Sequence, residues 1–360
     1  MARAGRVSVR DGVYHVVSRV AHGELLLDDG MKERMVEWLY GVAAFSGVEV
    51  WAWTFMDSHF HLLVHVPLVP ERYWRVSGDE PASYAFGMRP ADCRSSLWTP
   101  SGDGIPVAQP RPGVGFALPD GEMVERLAAL HGDRNRAEAV VANWRRLAAE
   151  GRGAAADRER ERLCRRMYNL SQFVKTFKER TTMVYNRLTG HEGTLWQGRF
   201  FSSLVEPTAR ATSLVAAYID CNGHRAGLSR TPDLYAWNGA SRALHGGAFS
   251  DECRKGCEKA FGRPWPEARD HLLNLLSSAV KETVAERKDA DAETGTVPTA
   301  PKLARMIGRR VAFLSKVPFI GFGKGFEGWI RRNLPTGYPA ASPERSLARC
   351  RRYDWDFSAA

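Results

Sequence analysis

The first part of the chain follows a clear pattern of apolar and polar positions. Residues 12–19 alternate as a strand does, and two apolar, β-branched runs over 48–55 and 55–66 predict two more strands. Between them, apolar residues over 31–45 recur every three or four positions and predict an amphipathic helix that ends at Gly47. The order β-α-β-β is the first half of a ferredoxin-like sandwich.

The middle of the chain loses this regularity and then recovers it. Residues 68–159 are rich in proline and glycine at first, which predicts a long insertion with two short helices over 121–150 and a flexible joint over 151–156. Helical spacing returns at about Asp157 and predicts one long amphipathic helix with a cationic outer face. A glycine-rich turn over 190–205 then leads into a fourth strand and completes a β-α-β-β-α-β order.

The remaining residues predict a mainly helical extension. A helix capped by Thr208 runs to Gly223, another covers 266–288, and a polar, acidic stretch over 289–299 has the composition of a linker. The predicted fold class is α+β: a ferredoxin-like sandwich with an antiparallel sheet, a large insertion and a C-terminal helical extension. The predicted division is a core domain of 1–67 and 160–230, an insertion of 68–159 and an extension of 231–360.

The charge of the chain indicates a polyanionic partner. Its 51 Lys and Arg against 41 Asp and Glu give a formal net charge of +10, which favours nucleic acid. Residues 302–352 contain twelve Lys and Arg residues but only two acidic residues, Glu327 and Glu344, and they include several aromatic residues. This segment is either a phosphate-binding surface with stacking aromatics or a packed tail whose arginines are solvated.

Several other classes of protein are disfavoured by the sequence. No run approaches the roughly 18 apolar residues of a membrane span, and no apolar segment follows the basic N-terminus as it would in a signal peptide. The six cysteines lack the spacing of a zinc finger and are interpreted as reduced thiols. A cytoplasmic location with no membrane partner is therefore expected.

Two histidines on the third strand are candidate metal ligands. Side chains alternate along a strand, so His59 and His61 share a face while Phe60 points the other way. Two imidazoles at this spacing can bind a divalent metal; the alternative is a pair of histidines on a solvated sheet face. His65 has the same parity but lies near the strand end, where a structural role or a substrate contact is expected.

A tyrosine and an asparagine on the helix after Thr208 add a second candidate pair. Tyr218 and Asn222 are four residues apart and share a helical face. A tyrosine beside a bound cation can act as a nucleophile, and an amide oxygen beside two imidazoles suits Mg²⁺ or Mn²⁺ better than zinc. The structural alternative is a half-buried aromatic followed by a C-terminal cap.

Four sequence blocks resemble the single-tyrosine HUH (His-hydrophobic-His) transposases, which comprise small insertion-sequence transposases and REP-associated tyrosine transposases. The blocks occur in the family order and cover about 7–67 and 160–230. They are Tyr14-His15-Val16-Val17-Ser18-Arg19, His59-Phe60-His61, Gly193-Thr194-Leu195-Trp196-Gln197-Gly198-Arg199-Phe200, and Tyr218-Ile219-Asp220-Cys221-Asn222 with Arg225-Ala226-Gly227-Leu228.

The resemblance implies a metal-dependent endonuclease and strand transferase that acts on single-stranded DNA and recognises DNA hairpins. Tyr218 would form a 5′-phosphotyrosine bond, while His59, His61 and Asn222 would hold Mg²⁺ or Mn²⁺. Gly223 stands where the family usually has proline, and the insertion is unusually large. A replication or conjugation nickase and a non-catalytic hairpin-binding protein are the alternatives. The candidate DNA contacts are Lys175, Lys178, Arg180, Arg199, Arg309 and Arg310.

Two questions stay open at the level of sequence. Tyr218 could serve its own subunit or a partner in a homodimer, and the insertion could reposition the tyrosine helix, contact DNA or only decorate the fold. Tyr168 and Tyr185, on the predicted long helix, are rival nucleophiles without a polar partner comparable to Asn222.

Overall fold

A five-stranded sheet lies at the centre of the protein, in a computed structural model that describes residues 11–76, 114–294 and 319–321. The described strands are β1 (Gly12–Arg19), β2 (Glu49–Met56), β3 (His59–Val66), β4 (Trp74–Val76), β5 (Val114–Phe116), β6 (Phe201–Val205) and β7 (Phe319–Ile320). The central sheet has the order β2-β3-β1-β6-β7, and β4 and β5 form a separate pair.

Ten α-helices lie within the part of the chain that the structure describes. They are α1 (Asp29–Ser46), α2 (Asp120–His131), α3 (Arg134–Ala149), α4 (Gly153–Cys164), α5 (Leu170–Thr189), α6 (Ala209–Asp220), α7 (Asn222–Arg225), α8 (Gly239–His245), α9 (Ser250–Phe261) and α10 (Trp265–Thr294). Each of these described helices is too short or too polar to span a membrane.

The sheet is antiparallel through its first four strands. β3 pairs with both β1 and β2, β6 pairs with the other edge of β1, and only β7 is added in parallel. The predicted mixture of helices with an antiparallel sheet is therefore confirmed. The four strands predicted from the sequence lie within a few residues of their predicted positions.

Adjacent residues of β3 show that the two faces of the sheet have different neighbours. Phe60 packs against Phe177 of α5 at 5.4 Å and against Trp196 at 5.2 Å between ring centroids. His61, on the other face, lies 6.1 Å from the ring of Tyr218 on α6. The apolar face is thus covered by α5, and the histidine-bearing face is covered by α6.

Helix ends follow the local sequence signals. The carboxylate of Asp28 accepts a hydrogen bond from the Met31 N–H at 2.7 Å, and Gly47 ends α1 with φ of 69°. Thr208 caps α6 through its contact with the Ala211 N–H. Each cap satisfies a backbone group that the first or last turn leaves without an intrahelical partner.

The predicted single helix from Asp157 is two helices in the structure. α4 ends at Cys164, and α5 begins at Leu170 after a cap by Asn169. Between them Tyr168 has φ of 51°, donates its N–H to the Ser46 carbonyl, and accepts a hydrogen bond from Arg126 at its hydroxyl. Helical spacing continues across this break because both helices bury apolar residues, so periodicity alone could not reveal it.

The insertion packs on the outer side of α1. The two predicted helices are confirmed as α2 and α3, whereas the predicted flexible joint is largely helical because α4 begins at Gly153. Gly41 of α1 lets the helices approach closely: a Cβ there would lie 2.6 Å from the Ala129 carbonyl oxygen of α2. Since α2 contacts α1 and α1 contacts α5, this region lies away from Tyr218.

The C-terminal helices cover the β2 edge. Asn238 bridges to Thr54, and the Phe55 N–H donates to the Trp237 carbonyl. Gly256 of α9 faces the backbone of this edge strand, where a Cβ would lie 2.7 Å from the Trp51 carbonyl oxygen. The last helix, α10, extends to Thr294, so the first part of the predicted linker is helical.

Candidate functional site: a histidine and tyrosine cluster on the sheet

Three histidines meet on the face of the sheet beneath α6. Strand register pairs Val17 of β1 with His61, so His15 is a diagonal neighbour of His61. The His15 Nε2 and His61 Nδ1 atoms are 2.9 Å apart in a hydrogen bond, and the two rings stack at 5.2 Å. The ring of His59 lies 5.1 Å from that of His61. The sequence-predicted pair is therefore a trio, and His15 is the member that sequence reasoning missed.

Burial keeps these imidazoles neutral. It lowers the pKa of His15 to about 3 and, with the charge of Arg19, lowers the pKa of His59 to about 4. The pKa of His61 is also well below its ordinary value because of burial and the neighbouring His59, His15 and Arg19. Neutral imidazoles keep a lone pair on one nitrogen, which is the form that binds metals.

The hydrogen bonds leave the Nε2 atoms of the predicted ligands available. The Nδ1 of His59 is 3.1 Å from the Ser58 hydroxyl, and the Nδ1 of His61 is bonded to His15. Within the described part of the chain, the buried His61 Nε2 has no hydrogen-bond partner. A buried polar atom without a partner costs free energy, and a bound cation would satisfy it.

Tyr218 completes the cluster. It lies in the second half of α6, and its side chain is buried, with 7% exposed. Its ring is edge-on to the rings of His15 and His61, with centroid distances of 5.8 Å and 6.1 Å. The structure thus brings the predicted nucleophile and two of the histidines together within one chain.

Asn222 sits one helical turn after Tyr218 and is buried. Its Nδ2 donates to the carbonyls of Tyr218 at 3.0 Å and Ile219 at 3.1 Å. Because the amide nitrogen faces these carbonyls, the lone pairs of Oδ1 are the ones left for another partner. Among the described residues, no hydrogen bond joins Asn222 to His59 or His61.

The glycine after Asn222 has a structural explanation. The ring of Tyr235 packs directly on Gly223, where a Cβ would lie 2.5 Å from Cδ1 of that ring. The Tyr235 hydroxyl donates to the Phe55 carbonyl at 2.8 Å and so joins this helix end to β2. Neither proline nor any other residue with a Cβ fits here without moving Tyr235.

The donor set provides two imidazole nitrogens for a metal, and any further ligands would have to be oxygens. No group of three or more His, Cys, Asp or Glu side chains in the described ranges is arranged to hold an ion. His15 therefore acts on His61 through a hydrogen bond and is not a third ligand. Two imidazoles with an amide, phosphate or water oxygen fit Mg²⁺ or Mn²⁺, which take oxygen ligands readily.

His65, on the same face, has a different environment. Its Nε2 is 2.8 Å from Asp11 and its Nδ1 is 3.0 Å from Glu49. Burial acts to lower the pKa of His65, but these two carboxylates outweigh it and raise the pKa to about 9. Both ring nitrogens carry protons in that ion pair, so His65 has no lone pair to offer a metal.

Three of the candidate DNA contacts line one groove. A cavity of about 740 Å³ lies between α5 and the turn before β6, and its lining includes Lys175, Lys178 and Arg199. The turn is joined to the end of β1, since the Gln197 N–H donates to the Arg19 carbonyl at 2.9 Å. The groove therefore lies at the end of the sheet that carries His59, which pairs with Arg19.

Of the remaining candidate contacts, Arg180 is the one within the described residues, and it lies outside this groove. Arg180 donates to the Leu130 carbonyl of α2 and its guanidinium lies 5.9 Å from the ring centre of Trp38, so it joins α5 to the insertion and α1. Arg309 and Arg310 lie outside the described residues. The rival Tyr168 is bound by Arg126 beside the insertion, and the ring of Tyr185 contacts His191 at 5.8 Å.

Comparisons with known proteins give a limited result. No protein-family model and no curated protein matches this chain. Among solved structures, the chain is similar to a REP-associated tyrosine transposase bound to a REP hairpin, at 13% identity and a TM-score of 0.32. That match covers 68% of this chain and 86% of the other. A TM-score this low does not establish a shared fold. The function proposed below is therefore based on the residues of this chain.

Proposed function

We propose that this protein is a metal-dependent endonuclease and strand transferase for single-stranded DNA, with Tyr218 as its nucleophile. The observation that carries the proposal is the packing of Tyr218 against His61 and His15 on one buried face of the sheet. The strand order β2-β3-β1-β6 supports a ferredoxin-like arrangement, in which the histidines lie on a central strand. Three of the four sequence blocks that resemble HUH transposases contribute His15, His59, His61 and Tyr218 to this cluster, and the glycine-rich block adjoins it at the end of β1.

The reaction follows from the chemistry of a phenol beside a phosphodiester. The Tyr218 oxygen attacks phosphorus, the bond to the 3′ oxygen breaks, and that oxygen leaves as a 3′-OH with the proton that the phenol gives up. The 5′ phosphate remains on Tyr218, and a 3′-OH at another junction reverses the step. The bond energy is conserved in the phosphotyrosine, so no nucleotide cofactor is needed.

His59 and His61 would hold Mg²⁺ or Mn²⁺ through Nε2, with Asn222 Oδ1 as the proposed oxygen ligand. A cation there supplies charge stabilisation to the scissile phosphate and favours the phenolate of Tyr218. The neutral state of both imidazoles supports this role, as does the lack of a partner on His61 Nε2. Because Tyr218 and His61 of the same chain are already in contact, we place the reaction within one subunit.

The groove of Lys175, Lys178 and Arg199 is the proposed path of the DNA. Its cations can track the phosphates, and it opens at the sheet end that carries His59. A hairpin next to the cleaved strand is the proposed substrate, following the sequence resemblance. Arg180 is not part of this path, since its side chain is bound between helices.

The test is a covalent-adduct assay. Labelled single-stranded hairpin oligonucleotides from the DNA flanking the gene are incubated with the protein, with Mn²⁺ or with EDTA, and run on denaturing gels. The proposal expects a protein–DNA band that needs Mn²⁺ and disappears in Tyr218→Phe and in His59→Ala. Tyr185→Phe is the matched control and keeps the band. Tight hairpin binding without any band would identify a binding protein instead, and a band that survives Tyr218→Phe would refute the choice of nucleophile.

A further inference from the structure

Two arginines beside the histidine and tyrosine cluster have no carboxylate partner among the described residues. Some partly buried arginines elsewhere are paired with carboxylates, as Arg160 is with Asp120 and Arg242 is with Glu33. The side chains of Arg19 and Arg225, by contrast, make no ion pair or hydrogen bond with any residue in the described ranges. Unpaired cations that converge on a site indicate that the site binds an anion.

Arg225 approaches the cluster from the side of the nucleophile. It follows Tyr218 by seven residues, about two helical turns, so α6 and α7 place both on one side. Its guanidinium carbon lies 5.4 Å from the centre of the Tyr218 ring, and the side chain is only half-exposed. A guanidinium held here can reach a phosphate that Tyr218 attacks.

Arg19 approaches from the side of the histidines. It is the last residue of β1, pairs with His59 across the strands, and has the same strand parity as His15. Because its cross-strand partner His59 is a proposed metal ligand, Arg19 brings a positive charge next to the proposed metal site. Without an anion, two positive side chains would oppose the binding of a divalent cation to these imidazoles.

We propose that Arg19 and Arg225 bind the phosphodiester that Tyr218 attacks, Arg19 from the side of the histidines and Arg225 from the side of the tyrosine. This inference rests on the proposed function. It adds two phosphate-binding residues to the proposed metal ligands and the nucleophile. The phosphate neutralises the two arginines and thereby makes the site receptive to the cation. DNA and metal therefore bind with positive coupling, each raising the affinity for the other.

The first experiment measures DNA binding without chemistry. In the Tyr218→Phe background with EDTA, fluorescence anisotropy gives the affinity for a labelled single-stranded oligonucleotide over a range of salt concentrations. Arg19→Gln and Arg225→Gln should each lower the slope of log K against log salt by about 0.7, the value for one contact to single-stranded nucleic acid. Arg158→Gln, an exposed and unpaired arginine of the insertion, is the control and leaves the slope unchanged. Unchanged slopes in both site variants would overturn the inference.

The second experiment places the contact at the reacting phosphate. With Tyr218 intact and oligonucleotide at saturation, the rate of adduct formation should fall at least about tenfold in either glutamine variant. Arg225→Lys keeps the charge but loses the planar guanidinium, so its rate of adduct formation should lie between those of Arg225→Gln and wild type. Thermal unfolding should change little, since within the described ranges neither side chain has an ion pair or hydrogen bond to lose, and Arg225 loses only its half-exposed contact with the Tyr218 ring. Wild-type rates in both variants would refute the role of the arginines.

Metal titration separates this inference from the proposed function. In the Tyr218→Phe background, Mn²⁺ should bind more tightly once the oligonucleotide is present, and Arg19→Gln should reduce that gain. If wild type forms no adduct while the salt slopes and this coupling behave as expected, the proposed function fails and the phosphate site stands. If wild type forms the adduct but the coupling is absent, only the arginine inference is refuted.

Discussion

Replacing His15 by leucine tests whether its hydrogen bond orients His61 for metal binding. His15 is fully buried, and its Nε2 is the partner of His61 Nδ1 at 2.9 Å. For His61 to offer Nε2 to a metal, the proton must sit on Nδ1 and be donated to His15. Leucine fills similar space but accepts no hydrogen bond, so His61 loses both its orientation and its preferred tautomer.

Two independent magnitudes give the expected size of the effect. Loss of an outer hydrogen-bond partner typically weakens metal binding about 10- to 100-fold, equivalent to about 1.4–2.8 kcal/mol. Leaving the buried Nδ1 of His61 without a partner costs about 1–3 kcal/mol, which is the same range. We therefore expect the Kd for Mn²⁺ to rise about 10- to 100-fold in His15→Leu.

Calorimetric titration with Mn²⁺ measures this change, and urea unfolding monitors the fold. Val13→Ala is the matched control: Val13 is also buried on β1, with the strand parity of His15, but pairs with His65 away from the metal site. It should lower stability by about 2 kcal/mol through lost burial and leave the Mn²⁺ affinity unchanged. His15→Gln, which can still accept the hydrogen bond, should lie between the two. A Kd within about threefold of wild type in His15→Leu would refute the positioning role.

Three further predictions concern stability and its dependence on pH. Gly223→Ala should destabilise the protein by about 1–3 kcal/mol in urea unfolding, although alanine normally favours a helix, because a Cβ would meet the ring of Tyr235; equal stability would contradict that packing. Burial raises the pKa of Asp220 to about 8, so wild type should lose stability as pH rises from about 4 to 8, and Asp220→Asn should flatten that profile if the carboxyl is protonated when folded. Glu49→Gln should lower the pKa of His65 in an NMR titration and cost about 1 kcal/mol near pH 6, a modest value because the side chain of Glu49 is over a third exposed. That cost should vanish as pH rises through about 9, where His65 loses its proton, and a cost that persists at pH 10 would exclude the ion pair as its source.

The sequence alone determined the features that depend on neighbouring residues. Strand parity placed His59 and His61 on one face because side chains alternate along any strand. Asp28, Gly47 and Thr208 marked helix ends because capping satisfies local backbone groups. Periodicity likewise gave the four antiparallel strands and the two short helices of the insertion, whose burial patterns span only a few turns.

Local signals could not reveal contacts that depend on the order of strands. The sequence puts His15 on the same face of β1 as Val13 and Val17, but only the register of β1 against β3 makes it a neighbour of His61. Arg19 becomes a neighbour of His59 through the same pairing. Strand parity in the sequence indicates which face of the sheet a residue occupies, but it does not indicate which strand lies beside it.

The tertiary structure also decided which of several similar residues face the site. Lys175, Lys178 and Arg180 lie on one cationic stretch of sequence, yet two line the groove while the third is bound by the insertion. The break at Tyr168 was equally hidden, because its cause is a carbonyl of α1 and a guanidinium of α2, both distant in sequence. Chain neighbours set the local conformation of this protein. Packing between distant segments set the environment of its reactive side chains, because burial and hydrogen bonding there depend on residues that periodicity does not bring together.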